Sequence, residues 1–129
     1  LARDLPFVVQ QAVPPGVDTI VNITAAALHE LTARDAEDLL YFTREALSNA
    51  VRHGQPTKVA VDLRQTIVET ALTIQDDGAG FDQTHARQGF GTVTMKSRAE
   101  RLGASFILVG IPGMGTTVRL TIPRGEPHE

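Results

Sequence analysis

The sequence predicts an α/β sandwich in which helices cover one face of a mixed, largely antiparallel sheet. Helical and strand patterns follow one another in the order α, β, α, β, β, α, β, β. The later strands are joined by short turns, which favour antiparallel pairing over the long crossovers that parallel strands need. One sheet with helices packed on one face would bury the apolar stripes of both longer helices.

The N-terminal part of the chain is the least regular. Residues 1–16 read as a weakly amphipathic connector, interrupted by Pro6 and closed by a Pro-Pro-Gly break. Residues 17–24 carry the apolar pattern of a strand, and residues 25–34 are ambiguous. Because the chain opens at Leu1 rather than Met, we expect it to be a piece of a longer protein.

A clear amphipathic helix is predicted over residues 36–53. Asp35 is expected to cap it, since its side chain can accept from the free amides of the first turn. Gly54 is expected to end it in the usual C-terminal role. At about 100° per residue, the apolar side chains fall on one broad face that packs on the sheet.

A second wedge of the same helix is polar. It carries Glu45, Asn49 and Arg52, with His53 at its edge. An amide oxygen can bind a hard cation such as Mg²⁺, and a carboxylate can reach the outer shell of that cation through water. An arginine can offset phosphate charge. The alternative is a solvated helix face with an ordinary polar pair.

Alternating patterns predict two strands, around residues 59–64 and 72–74, and the second leads into an acidic, glycine-rich turn. Asp76 ends that strand, where side chains commonly face a cleft. An ionised carboxylate only accepts hydrogen bonds, so it suits the amino group of adenine and rejects the carbonyl of guanine. Gly78 and Gly80 allow a sharp turn and close approach to a flat ring. The alternative is a plain Asp-Gly turn.

Two further glycine loops follow. Gly89-Phe90-Gly91-Thr92 opens a helix predicted over residues 90–102, and free amides at a helix start attract phosphate. The loop is neither a dinucleotide fingerprint nor a Walker loop, because it lacks the third glycine and the Gly-Lys-Ser/Thr. Gly113-Met114-Gly115-Thr116 joins the last two strands and is most simply a hairpin turn.

Composition narrows the class of protein. A length of 129 residues suits a single domain, 1–129, with a polar tail over residues 124–129 that is expected to fray. The net charge of -3 argues against a nucleic-acid surface. The lack of Cys excludes disulfides and thiolate metal sites. No apolar run approaches the roughly 20 residues that cross a bilayer, so direct membrane insertion is not expected.

Taken together, the motifs resemble the ATP-binding boxes of bacterial sensor histidine kinases. Residues 44–53 resemble the asparagine box, residues 76–81 and 89–95 the first two glycine boxes, and residues 113–116 the last. The resemblance spans roughly residues 36–123 and extends to the GHKL ATPases, which include gyrase, Hsp90 and MutL.

Details of the motifs refine the resemblance. Glu45, where many kinases carry Asn, and the short segment between Phe81 and Gly89 are similar to the subclass paired with LuxR-type response regulators. Thr92 stands where that family usually has Leu, and Ala104 where a second Gly is common. Neither departure removes the pocket.

The resemblance implies a Bergerat-type fold that binds ATP and Mg²⁺. It implies catalytic roles for Glu45 and Asn49, with Asn49 a Mg²⁺ ligand and Glu45 near the metal through water. The residues implied in ATP binding are Asn49, Arg52, His53, Asp76, Gly78, Gly80, Gly89, Phe90, Gly91, Thr92 and Thr116.

The function implied is transfer of the γ-phosphate of Mg-ATP to a His on a separate dimerisation domain, with a response regulator downstream. The domain is then expected to be cytoplasmic and monomeric within a homodimeric parent. His29 lies in a segment that superficially resembles the phosphoacceptor sequence. It leaves no room for two long dimerisation helices before the asparagine box, so we expect a connector residue. Alternatives are a serine kinase of the anti-sigma-factor type and a non-catalytic nucleotide-sensing module.

Overall fold

The computed structural model describes residues 4–25, 32–80 and 92–123, and the predicted order of helices and strands is confirmed. The first half contains α1 (Asp4–Ala12), β1 (Asp18–Ala25), α2 (Ala33–Asn49) and a π-helical turn (Ala50–Gly54). The second contains β2 (Lys58–Gln65), β3 (Glu69–Asp76), α3 (Thr92–Leu102), β4 (Ser105–Ile111) and β5 (Gly115–Pro123).

The five strands form one sheet in the order β1-β2-β3-β5-β4. β1 and β2 are parallel, and every other neighbouring pair is antiparallel. The tight hairpins β2–β3 and β4–β5 account for the antiparallel pairs, whereas β1 reaches β2 only through α2. The predicted mixed, largely antiparallel sheet is therefore confirmed.

The hydrophobic core lies between one face of the sheet and the helices. Alternate residues of the central strands are buried, and they pack against the apolar stripes of α1, α2 and α3. Phe42 of α2 meets Phe106 of β4 edge-on, with ring centroids 5.6 Å apart. The other sheet face is open, because Ile20, Ile107 and Val109 are exposed there. The core also buries Leu5, Leu39, Leu47, Leu63, Leu72, Met95 and Leu120.

The expected connector contains a packed helix. Leu5 and Val9 of α1 are buried in the core. Pro6 does not interrupt the helix because it lies in the first turn, where its missing N–H is not needed. The division into a connector, one domain and a tail stays a prediction, and the tail at 124–129 lies outside the described residues.

Both predicted ends of the long helix need correction. Thr32 is the N-cap, and its hydroxyl accepts from the Asp35 amide at 3.0 Å, so Asp35 lies inside the first turn. At the other end the helix widens into the π turn, and the left-handed residue is Gln55, with φ of 47°, rather than Gly54. Gly103 follows the last residue of α3 with φ of 67°, in the left-handed region that favours glycine. No helix in the described ranges has the length and apolarity to cross a bilayer.

Candidate functional site

Asp76 ends β3 with its side chain on the helix-covered side of the sheet. It pairs with Val59 of β2 and Thr116 of β5, and residues opposite one another across strands share a face. Val59 is part of the hydrophobic core. The half-buried carboxylate of Asp76 therefore faces the space beneath the helices, as expected for a side chain at a cleft.

The surroundings of Asp76 disfavour its charge. Burial raises the pKa of this carboxyl above its ordinary value of 3.8, and the nearby charge of Asp77 adds to the rise. The amides of Gly78 and Thr116 act in the opposite direction by stabilising the ionised form. The Gly78 amide donates to Asp76 Oδ1 at 2.7 Å. A polar ligand that donates to this carboxylate would relieve the cost of its burial.

The acidic turn is fastened to two other segments. The Ala79 amide donates to the carbonyl of Gly54 at the end of the π turn, at 2.9 Å. The carbonyl of Ala79 accepts from the amide of Gly113 in the β4–β5 turn, at 2.6 Å. The end of the helix, the acidic turn and the last glycine loop, three of the sequence motifs, are therefore in direct contact.

Gly78 and Gly80 are required by this packing. A Cβ on Gly78 would lie 2.6 Å from the carbonyl oxygen of Gly54, closer than real Cβ atoms come to backbone. Gly80 has φ of 68°, in the left-handed region that favours glycine. The sequence predicts that these glycines allow a flat ring to approach the backbone closely. The structure adds a second reason, the approach of protein backbone.

Asn49 is the last residue of α2, and its side chain is only 3% exposed. Its amide oxygen accepts from the guanidinium of Arg52 at 2.7 Å. Its amide nitrogen lies 4.0 Å from the sulfur of Met95 in α3. A cation that binds this oxygen must share it with Arg52 or displace Arg52. The residue type fits Mg²⁺, which takes oxygen ligands and completes its shell with phosphates and water.

The other polar residues of the wedge lie before and after Asn49 along the chain. Glu45, one turn earlier, is partly exposed, whereas Arg52 and His53 lie in the π turn and are exposed. The π turn departs from the regular helical spacing assumed for the sequence. Arg52 nevertheless contacts Asn49, as the predicted wedge requires.

The side chains of Asp76 and Asn49 both lie at the C-terminal end of α2. A Cβ on Gly54 would be 3.6 Å from Asp76 Oδ1, and Gly54 follows Asn49 closely along the chain. At about 1.5 Å per residue, that separation corresponds to only a turn or so of helix. Asp76 and Asn49 therefore do not face opposite exterior surfaces.

The predicted phosphate loop is only partly described. Gly89, Phe90 and Gly91 lie outside the described residues. Thr92 is the first residue of α3. The structure thus brings together the helix, the acidic turn and the hairpin loop.

Sequence reasoning missed the role of Asp77. Its Oδ1 accepts from the amides of Thr57 and Lys58, at 2.8 and 2.9 Å, and its Oδ2 accepts from the Thr57 hydroxyl at 2.6 Å. The Thr57 hydroxyl and these amides lower the pKa of Asp77 to about 2. This carboxylate fastens the start of β2 to the end of β3. No local sequence signal distinguishes it from Asp76.

A groove of about 650 Å³ opens beside the site on the other side of the sheet. Ile20, Ala60 and Gln75, which form one row across β1, β2 and β3, lie along it. It shares Asp76 and Asp77 with the acidic turn but includes neither Asn49 nor Arg52. Because Asp76 points to the helix side, we assign the candidate site to that side and not to the groove.

The chain is similar in sequence to sensor proteins of two staphylococci. Sensor protein VraS of Staphylococcus saprophyticus is 33% identical over 113 residues, covering 83% of this chain and 33% of that protein. VraS of Staphylococcus aureus strain COL is 34% identical, with the same coverage. The chain thus spans about a third of the length of the curated relatives it matches.

Solved structures share the fold. The ATP binding domain of PrrB from Mycobacterium tuberculosis has a TM-score of 0.72 at 20% identity, covering 95% of this chain and 92% of that one. The histidine kinase domain of the blue-light activated kinase EL346 from Erythrobacter litoralis has a TM-score of 0.69 at 20% identity, covering 95% and 58%. These likenesses confirm the predicted fold class.

The matching family model, described as histidine kinase-, DNA gyrase B-, and HSP90-like ATPase, spans residues 34–126. That range contains all of α2 except its first residue, together with the acidic turn and the hairpin loop, the segments that meet around Asp76 and Asn49. The chain therefore belongs to the histidine kinase-, DNA gyrase B- and HSP90-like ATPase family.

Proposed function

We propose that this chain is the catalytic domain of a sensor histidine kinase, which binds Mg-ATP and transfers its γ-phosphate to a His on a separate dimerisation domain. The observation that carries the proposal is the half-buried carboxylate of Asp76, facing the helices beside the turn that follows Asn49. Family membership makes nucleotide binding the natural use of such a site.

Asp76 is proposed to read the adenine base. Two backbone amides already hold its carboxylate, which keeps lone pairs for another donor. The exocyclic amino group of adenine is a donor, whereas guanine presents a carbonyl at that position. Gly78 and Gly80 would border the base, and Thr116, opposite Asp76 on β5, would support it.

Asn49 is proposed to bind Mg²⁺ through its amide oxygen, with Glu45 near the metal through water. When bound, the cation neutralises phosphate charge and orients the nucleotide. Arg52, which donates to Asn49 Oδ1, and His53 would then lie beside the phosphates. Gly89, Phe90, Gly91 and Thr92 are proposed to complete the phosphate side.

The wider assignment concerns the parent protein. The relatives from both staphylococci are named sensor proteins, which supports a parent that signals through a response regulator. We propose that the regulator has LuxR-type output, that the parent is a cytoplasmic or membrane-attached homodimer, and that this domain alone is a cytoplasmic monomer. Its phosphoacceptor would come from another domain, so this chain alone should not phosphorylate itself.

Calorimetric titration with ATP, ADP and GTP, with and without Mg²⁺, tests nucleotide binding. We expect adenine nucleotides to bind and GTP to bind far more weakly; a chain that binds none contradicts the proposal. Adding a dimerisation domain with its acceptor His then tests phosphotransfer. Phosphate on Ser of a partner would indicate the serine-kinase alternative, and binding without transfer to any acceptor would indicate a sensing module.

The proposed role of Asn49 as a Mg²⁺ ligand can be tested separately. Asn49→Ala should weaken Mg-ATP binding more than metal-free ATP binding, since only the former uses the amide oxygen. Equal losses under both conditions would contradict the assignment. The control is Ser48→Ala, on the neighbouring partly buried position of the same helix.

A further inference from the structure

Helices α2 and α3 are joined by a buried ion pair outside the proposed nucleotide contacts. The Asp38 carboxylate in α2 is only 7% exposed, and its Oδ1 lies 3.2 Å from Arg98 Nη1 in α3. The Arg98 side chain is 19% exposed. A buried charge tolerates loss of its partner poorly, so this contact constrains where α3 lies on α2.

A second contact fixes the plane of the Arg98 guanidinium. Its central carbon lies 3.9 Å from the ring centroid of Tyr41, one turn after Asp38 on α2. Arg98 Nε is buried and, within the described ranges, has no hydrogen-bond partner. The guanidinium is therefore held by one carboxylate and one ring, and a lysine cannot reproduce the planar stack.

The same two helices meet again at the proposed metal ligand. Met95 precedes Arg98 by about one helical turn, so the two side chains share a face of α3. The Met95 sulfur lies 4.0 Å from the amide nitrogen of Asn49. Met95 and Arg98 therefore place the proposed metal ligand and the buried ion pair against the same face of α3.

We propose that Arg98 is a positioning residue for the nucleotide site. It fixes α3 on α2, which holds Met95 against Asn49 and keeps the Asn49 amide oriented for the metal-nucleotide complex. The inference rests on the proposed function.

Arg98→Lys tests the proposal, because it keeps the charge that Asp38 needs but removes the planar stack. The measurement is the Mg²⁺ enhancement, the ratio of ATP dissociation constants without and with Mg²⁺, taken well below the unfolding midpoint. We expect the enhancement to fall by roughly tenfold, as when groups that orient a metal ligand are removed. Metal-free ATP affinity should stay close to that of the wild type.

The matched control is Arg101→Lys. Arg101 Nη2 also approaches Asp38 Oδ1, at 3.5 Å, but its side chain is 48% exposed, so it holds α3 less firmly. This variant should keep the wild-type enhancement. An equal fall in both variants would overturn the proposal, since the effect would then not depend on the stack of Arg98 on Tyr41.

If Arg98→Lys does not fold, Met95→Leu tests the proposed link between α3 and Asn49. Leu has about the same side-chain volume as Met, so this variant should fold. It should lower the enhancement in the same direction by a smaller factor. If Arg98→Lys folds and keeps the wild-type Mg²⁺ enhancement, the positioning role is overturned. If only Met95→Leu folds, wild-type enhancement in that variant overturns it. A wild-type chain that binds no nucleotide would instead refute the proposed function, so the two failures are distinguishable.

Discussion

The inner and outer sides of the acidic turn present adjacent carboxylates in opposite surroundings. Asp76, on the inner side, is half-buried under the helices, and its pKa is raised by that burial. Asp77, on the outer side, is exposed, and hydrogen bonds from Thr57 and Lys58 lower its pKa to about 2. One carboxylate is left able to accept from a ligand, and the other is used to hold two strands together.

Asp76→Asn tests the inner side and should have the largest effect. Replacing an ionic acceptor costs about 1.5–3 kcal/mol. Adenine-nucleotide affinity should therefore fall by roughly tenfold to a hundredfold, measured by calorimetry. The thermal midpoint should stay the same or rise, because burial already disfavours the charge. Unchanged affinity would show that Asp76 does not read the base.

Gly78→Ala should disturb the acidic turn and the Asp76 carboxylate together. The new Cβ would approach the Gly54 carbonyl oxygen at 2.6 Å and the Asp76 carboxylate at 2.9 Å. Overpacking of this kind costs about 1–3 kcal/mol, which chemical denaturation would detect. Gly54→Ala is the matched control, since its Cβ would meet the same turn at 3.5 Å, an ordinary contact. Similar losses in both variants would refute the steric argument.

Asp77→Asn tests the outer side and should reverse the pattern seen for Asp76. The thermal midpoint should fall, because the amide replaces one carboxylate oxygen that accepts from Thr57 or Lys58 with a donor. Nucleotide affinity should change little at a temperature where the variant is folded. A large loss of affinity with an unchanged midpoint would mean that the two carboxylates have exchanged roles.

The pH dependence of stability and of ATP binding should also distinguish Asp76 from Asp77. We expect these effects to be the smallest of the four. Asp77, whose pKa is depressed, contributes stability above its ordinary value of 3.8 that is lost as the pH falls through about 2. Asp76, whose pKa is raised, has the opposite sign, and protonation there favours the folded state. Its protonation should weaken ATP binding at a pH where Asp77 is still ionised. Identical acid profiles for wild type and Asp76→Asn would contradict this assignment.

Much of the fold and part of the site follow from local patterns. The order of elements, the sheet type and the placement of Asp76 at a strand end were predictable because each depends on periodicity or on a short motif. The N-cap Thr32 was missed because the pattern around it is ambiguous. The π turn was missed because apolar spacing does not reveal a change in hydrogen-bond register.

The contacts that sequence reasoning missed join residues far apart in the chain. Asp77 and Thr57 are 20 positions apart, and Asp38 and Arg98 are 60 apart. Only the packing of strands and helices brings such pairs together. Arg98 lies within the range of residues 36–123 that resembles the kinases, but its carboxylate and aromatic partners on α2 carried no signal of their own.

The π turn at the end of α2 has a consequence for engineering the chain. A turn of this kind holds about one residue more than the regular helical turn it replaces. Removing one residue between Ala50 and Gly54 would restore regular winding without touching α2. It would also change the path of the backbone that leads to Gly54, whose carbonyl accepts from the Ala79 amide. Loop length at this point should therefore be treated as fixed in any redesign or transplant of the domain.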